Sequence, residues 1–331
     1  MKKTVLSITI IISIIATMAA CGGMREPTDS VNVTQNSNES VTSSNSKGNT
    51  TEINLATVID SGNCGADGDL MFENADGKWE KITVSDKDKV HWTLYSDGRL
   101  VIEGEGYMGN FLAAKIPWES HRDKIISLEI GDGVKNVGAY AFRECHNLSN
   151  ITFGSSIMAI GLFAFYECVA LTDVSIPGSV VSFTDSAFQD CSKLKNLVLG
   201  DGITTIPKSC FENCSSLASI DIPKSVRSIS ERAFYGCSNM TNVKMNEGIK
   251  YIWSNAFEDC VELREITLPD SIETIGDYAF CSCKNLSSIK IPSNLSTLNL
   301  GLFMNCTKLK EIFIPESVQK IGYATFYGCS S

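Results

Sequence analysis

Residues 257–283 read FEDCVELREITLPDSIETIGDYAFCSC, and the Phe-x-x-Cys that opens this stretch returns 23 positions later to close it. The pair recurs through most of the chain without an insertion. Cysteine stands at Cys145, Cys168, Cys191, Cys214, Cys237, Cys260, Cys283, Cys306 and Cys329. Three residues before each stands a phenylalanine: Phe142, Phe165, Phe188, Phe211, Phe234, Phe257, Phe280, Phe303 and Phe326. A fixed period of this length marks a solenoid, a stack of like coils that each bury a face against the next.

With the cysteine as position zero, the rest of the coil can be read. Position +3 is Leu148, Leu171, Leu194, Leu217, Leu263, Leu286 or Leu309, with Met240 the one departure. Positions +6 and +8 are apolar, as in Val174 and Ile176 or Ile266 and Leu268, and this alternation gives a strand with one buried face. Proline or glycine usually follows at +9 and turns the chain. Positions +12 and +15, such as Val226 and Ile229, give a second short extended segment. A stretch like Asp277-Tyr278-Ala279-Phe280 then predicts a short helical turn with Ala and Phe facing inward. A degenerate first coil (Leu128, Ile130, Val134, Val137) sets the start near residue 122. The fold class expected is a β-rich repeat solenoid with short helical turns, of about ten coils stacked at the strand spacing.

Working outward, residues 1–20 read as an export signal. Lys2 and Lys3 precede an apolar run from Thr4 to Met18, and small residues end it. Cys21 follows directly, as in a bacterial lipobox, and that resemblance implies a lipid on the Cys21 thiol. An exported, lipid-anchored location, at the cell surface, is the expectation. Residues 21–52 are rich in Ser, Asn and Thr, and are too polar to pack a core, so they read as a tether.

Residues 53–121 lack the period and read as a small N-terminal β unit. Val90–Leu94 and Leu100–Ile102 flank Asp97-Gly98 as a hairpin. Further strands are expected at 53–58, 69–73 and 79–84. Ser61–Asp69 resembles a calcium loop only superficially, since Gly65 and Asn74 replace ligands, and it reads as a turn. Pro117-Trp118 is expected to pack over the first coil as a cap. At the other end, Ile314, Val318, Ile321 and Phe326 belong to a last coil with no polar coil after it. That end is expected to fray, to pair with another molecule or to continue in a longer array, with fraying or self-association favoured.

The chemistry-bearing residues point away from catalysis. The net charge of −10 disfavours nucleic acid as a partner. His91, His121 and His146 form no metal-ligand or nucleophile motif, and there is no phosphate loop or dinucleotide fingerprint. No cofactor or metal is expected. A parallel β-helix enzyme is the remaining enzymatic alternative, but the coils carry no insertions from which to build a cleft. The repeated cysteines would lie one above the next with parallel side chains, which suits buried thiols better than disulfides or a four-ligand metal site. Cys210, at the usual Ala position, should be buried too. Cys64 and Cys281 lie outside the ladder.

Positions +5 and +7 alternate with the buried ones and must point outward. They include Asp173, Asn196, Asn242, Glu265 and Glu311 in one row, and Val198, Asp221, Lys244, Thr267, Lys290 and Phe313 in the other. These residues vary while the core does not, so they are the candidate ligand-binding positions. The units SIPGSVVSFTDSAFQDCSKLKNLVL (175–199) and TLPDSIETIGDYAFCSCKNLSSIKI (267–291) resemble BspA-like leucine-rich repeats. HWTLYSDGRLVIEGEGYM (91–108) and PWESHRDKIISLEIGDGV (117–134) are similar to the region that often precedes such repeats. The resemblance covers about residues 61–329. It implies a bacterial surface protein that adheres to host matrix protein, another cell or a polymer, without a defined catalytic centre. The expected partner is an extracellular protein or glycan. A structural or assembly role in the bacterial envelope is the alternative.

Overall fold

The repeated coils run through three segments, and segments of like position lie side by side along the stack; the ladder of the first is interrupted after Asn196–Val198 and after Asn242–Lys244. The computed structural model describes residues 56–73, 78–111 and 115–331, and Leu55–Ser331 forms one compact unit. The export signal, Cys21 and most of the tether lie outside the described residues. The first segment is the +5 to +7 strand, which appears nine times, from Ser127–Ile130 to Glu311–Phe313. Neighbouring copies pair in parallel with a register of one full period, as in Asp173↔Asn196, Val174↔Leu197 and Ser175↔Val198. The second is a two-residue strand, such as Ser228–Ile229, paired to Thr205–Ile206 on one side and Tyr251–Ile252 on the other.

The third segment corrects one expectation. The Ala-Phe stretch does face inward, but it is not helical. Two residues in each coil take left-handed backbone angles, five positions and one position before the cysteine. Tyr140 (φ 63°) and Glu144 (φ 58°) are the first such pair. Alternate N–H groups turn along the stack, so Tyr140, Phe142 and Glu144 donate to the carbonyls of Leu162, Ala164 and Tyr166 at 2.9, 2.8 and 2.6 Å. The N–H groups between them close four-residue turns back on their own coil. The reason is one of size. A helix is about 10 Å across and could not repeat at a strand spacing near 4.8 Å, whereas a flat ribbon can. The one helix among the described residues is a 3-10 turn over Glu119–Lys124, before the first full coil.

Because the register never slips, like side chains stack into columns. Phenylalanine rings from Phe142 to Phe326 follow one another at 4.9–6.0 Å with planes within 16° of parallel. The eight from Phe142 to Phe303 have no exposed surface. The cysteines form a parallel column, and each Sγ from Cys168 onward lies 3.1–3.3 Å from the Phe carbonyl of the preceding coil. A thiol here fills a small apolar space and gives a buried carbonyl a further, weak donor. Cys210 and Cys281 are buried beside the column, and Cys64 is buried under the N-terminal strands.

Five strands precede the coils: β1 (Val58–Asn63), β2 (Asp67–Glu73), β3 (Trp79–Ser85), β4 (Val90–Tyr95) and β5 (Arg99–Gly104). The β4–β5 hairpin is as expected, with Gly98 at φ 85° in its turn. β1 begins where the expected 53–58 strand was to end, and it runs to Asn63, which leaves only Cys64–Ala66 as the link to β2. Thus most of the calcium-like stretch is strand. β5 pairs in parallel with Ser127–Ile130, so the hairpin continues the sheet of the coils and closes its first edge. Trp118 takes the phenylalanine's place ahead of Phe142. It stacks on that ring at 5.1 Å and donates Nε1–H to the Ala141 carbonyl at 2.9 Å. β5 and Trp118 thus take the strand and ring positions of an incomplete coil, and Trp118 packs over the first full coil as expected. In the last coil, Phe326 still stacks on Phe303, but Ile321, Tyr323 and Tyr327 are exposed.

Candidate binding face

The strand geometry places the candidate residues on one face. Alternation of side chains sends +6 inward and +5 and +7 outward, and the one-period register aligns each outward residue with its counterparts. Asp173, Asn196, Val198, Asp221, Asn242, Lys244, Glu265, Thr267, Lys290, Glu311 and Phe313 are all exposed. Registered pairs bring Asp173 beside Asn196, Asp221 beside Lys244, Glu265 beside Ser288, and Lys290 beside Phe313.

Some of these residues already satisfy one another. Asn196 donates its amide to Asp173 at 2.5 Å, and Thr172 adds its hydroxyl at 2.6 Å. Those bonds, Thr172 first, hold the Asp173 carboxyl below its ordinary range. Lys244 reaches Asp221 at 3.1 Å, and Lys290 reaches Asp270 at 3.3 Å. These are exposed ion pairs that contribute little to stability. Two apolar side chains interrupt the polar rows: Val198 is 60% exposed and Phe313 is 76% exposed. A sheet of this kind offers area, varied charge and two apolar anchors on an exposed surface.

The histidines do not converge. His91 Nδ1 lies 2.8 Å from Asn63 Oδ1, His121 Nε2 lies 2.9 Å from Asp60, and His146 lies 3.6 Å from Glu167.

A further exposed feature lies outside the +5 and +7 rows and was not among the residues expected from the sequence. On the second strand row, Tyr251 and Trp253 occupy +14 and +16. Their rings stack at 6.0 Å, and the indole is 47% exposed. The available signal was size, since neighbouring coils carry Ser228 and Ser230, or Thr274 and Gly276, at these positions.

Residues 120–227 and 204–331 match the BspA type leucine rich repeat region, in six copies. Several solved structures are similar to the chain at low identity. A leucine rich cell surface protein from Faecalibacterium prausnitzii A2-165 is 22% identical, over 76% of this chain and 87% of its own, with a TM-score of 0.40. A leucine-rich repeat protein from Bacteroides ovatus ATCC 8483 is 19% identical over 73% of this chain and 91% of its own, with a TM-score of 0.37. The pneumococcal vaccine antigen PcpA is 17% identical over 78% of each chain, with a TM-score of 0.41. No curated protein matches the chain. The repeat pattern spans well over half of the sequence, and on that ground the chain belongs to the BspA-type leucine-rich-repeat family.

Proposed function

We propose that this protein is held at a bacterial cell surface and binds an extracellular macromolecule through its +5/+7 sheet face, in adhesion to host protein or another cell. The observation that carries this reading is the contrast between the two sides of one strand. The inward residues repeat almost unchanged, while the outward ones vary in charge and size, with Val198 and Phe313 exposed among them. Extended solenoid faces of this kind are commonly used for binding. Membership of a repeat family and a neighbour described as a cell surface protein support it. Full-length protein in detergent should bind one or more immobilised extracellular matrix proteins or cell-surface glycans saturably. Absence of binding across such a panel, with binding instead to envelope components of the producing cell, would favour the assembly role.

Anchoring belongs to the same proposal. Among the described residues no helix is long and apolar enough to cross a membrane. Cys21, following the apolar run and its small-residue end, supplies the lipid site in this reading. Replacing Cys21→Ser should abolish labelling by a fatty-acid probe and release the protein from the membrane fraction. Equal labelling of the variant and the wild type would overturn the anchor.

A further inference from the structure

We infer that Tyr251 and Trp253 form a binding subsite for a neutral hexopyranose unit of a glycan, on the second strand row and apart from the +5/+7 face. The first ground is placement. The residues on either side along the stack are Ser228 and Thr274 at +14, and Ser230 and Gly276 at +16. The two rings therefore stand on a floor of small side chains. Gly276 is bare because a Cβ there would meet the Ser254 nitrogen at 2.4 Å and the Trp253 carbonyl carbon at 2.7 Å. That leaves the side of the indole toward the next coil free of any side chain at its own level.

The second ground is rigidity. Trp253 Nε1–H donates to Ser228 Oγ at 2.9 Å, and Tyr251 donates its hydroxyl to Glu273 at 3.1 Å. The rings lie 6.0 Å apart with planes inclined by 30°. Both aromatic residues are thus held in place before any ligand arrives, so little side-chain freedom remains to be lost on binding. Trp92 and Trp118, by contrast, are core residues.

The third ground is the chemistry of the rim. Lys250 and Glu273 are paired at 2.8 Å, and each side chain is about half exposed. Together they present a donor and an acceptor beside the rings without net charge. An anion arriving there meets Glu273, and a cation meets Lys250. A wholly apolar ligand would leave both groups without new partners. A pyranose has an apolar C–H face for the rings and a polar edge of hydroxyls for the pair. It suits all three elements.

The test uses full-length protein in detergent and measures binding by titration calorimetry for wild type and variants alike, with tryptophan emission followed in the wild type. The probes are cellohexaose, laminarihexaose and mannohexaose, with polygalacturonate and chitosan as charged comparisons. At least one neutral oligosaccharide should change the emission saturably. Trp253→Ala should weaken its binding by about tenfold or more, and Trp253→Phe by less. A double change on the other face, Val198→Asp with Phe313→Asp, should leave saccharide binding intact. The two binding readings can therefore fail separately. The inference is overturned if no neutral probe binds more tightly than about 10 mM. It is also overturned if Trp253→Ala binds as well as wild type, or if only the charged polymers bind through Trp253.

Discussion

Phe234→Ala, in the middle of the ring column, should lower unfolding stability by about 3–5 kcal/mol. Phe234 has no exposed surface and is stacked on both sides, by Phe211 at 5.5 Å and Phe257 at 5.4 Å. Its carbonyl accepts the Cys260 thiol at 3.3 Å, and its N–H donates to the Ala256 carbonyl at 2.9 Å. The backbone at this point is fixed by both neighbours, so the coil cannot close in on the space left behind. The loss then includes a cavity as well as the transfer of the ring from water. A denaturant titration of wild type and variant measures it. A difference near zero would mean that the column does not hold the coils together.

Stability should also fall steeply above pH 9. Cys145, Cys168, Cys191, Cys210, Cys214, Cys237, Cys260, Cys283 and Cys306, nine thiols in all, have no exposed surface. Burial disfavours the thiolate, so the folded protein holds these protons well beyond the ordinary thiol value of 9.0; Cys145 is pushed up to about 12. Cys64 is likewise raised to about 12 and Cys281 to about 11, again chiefly by burial. The sign follows from proton counting. Well below pH 9 both states keep the thiol proton and the cysteines add little pH dependence. Above it the unfolded chain loses protons that the folded one retains, and unfolding is favoured by up to about 1.4 kcal/mol per thiol for each pH unit. Nine thiols at pH 10 amount to about 12 kcal/mol, as much as the whole stability of an ordinary domain. The urea midpoint should be nearly level from about pH 6 to 7.5, begin to fall by about pH 8.5 and drop sharply by about pH 10. Cys237→Ala should shallow the drop by one thiol's share. A midpoint unchanged between pH 8.5 and 10 would refute the buried thiol column.

Much of this was legible because a single residue type repeats at each core position. Phe234 and Cys237 could be placed inside from spacing alone, and the outward direction of Asp221 and Lys244 followed from the strand period. The shape of the turn was not legible. Asp277-Tyr278-Ala279-Phe280 reads as a helical turn by composition, yet Tyr278 has φ 56° and Ser282 φ 58°. Tyrosine has no particular preference for such angles. They are imposed by the bonds to the next coil, including Tyr278 N–H to Leu300 at 2.8 Å and Ser282 N–H to Met304 at 2.7 Å. A contact of that kind cannot be read within one repeat. For the candidate face, the sequence identified which residues point outward but not their pairing. Lys290 turns to Asp270, 20 residues back, and not to a residue of its own row.

Whether the +5/+7 face is the binding surface is settled by substituting it as a block. A full-length variant carrying Val198→Asp, Lys244→Glu, Lys290→Glu and Phe313→Asp alters four exposed positions and leaves the Phe and Cys columns untouched. Its affinity for whichever matrix protein or surface glycan the wild type binds should be measured beside its urea midpoint. The expected result is a loss of about tenfold or more in affinity with the midpoint little changed. Unchanged affinity in the stably folded variant would contradict binding through this face.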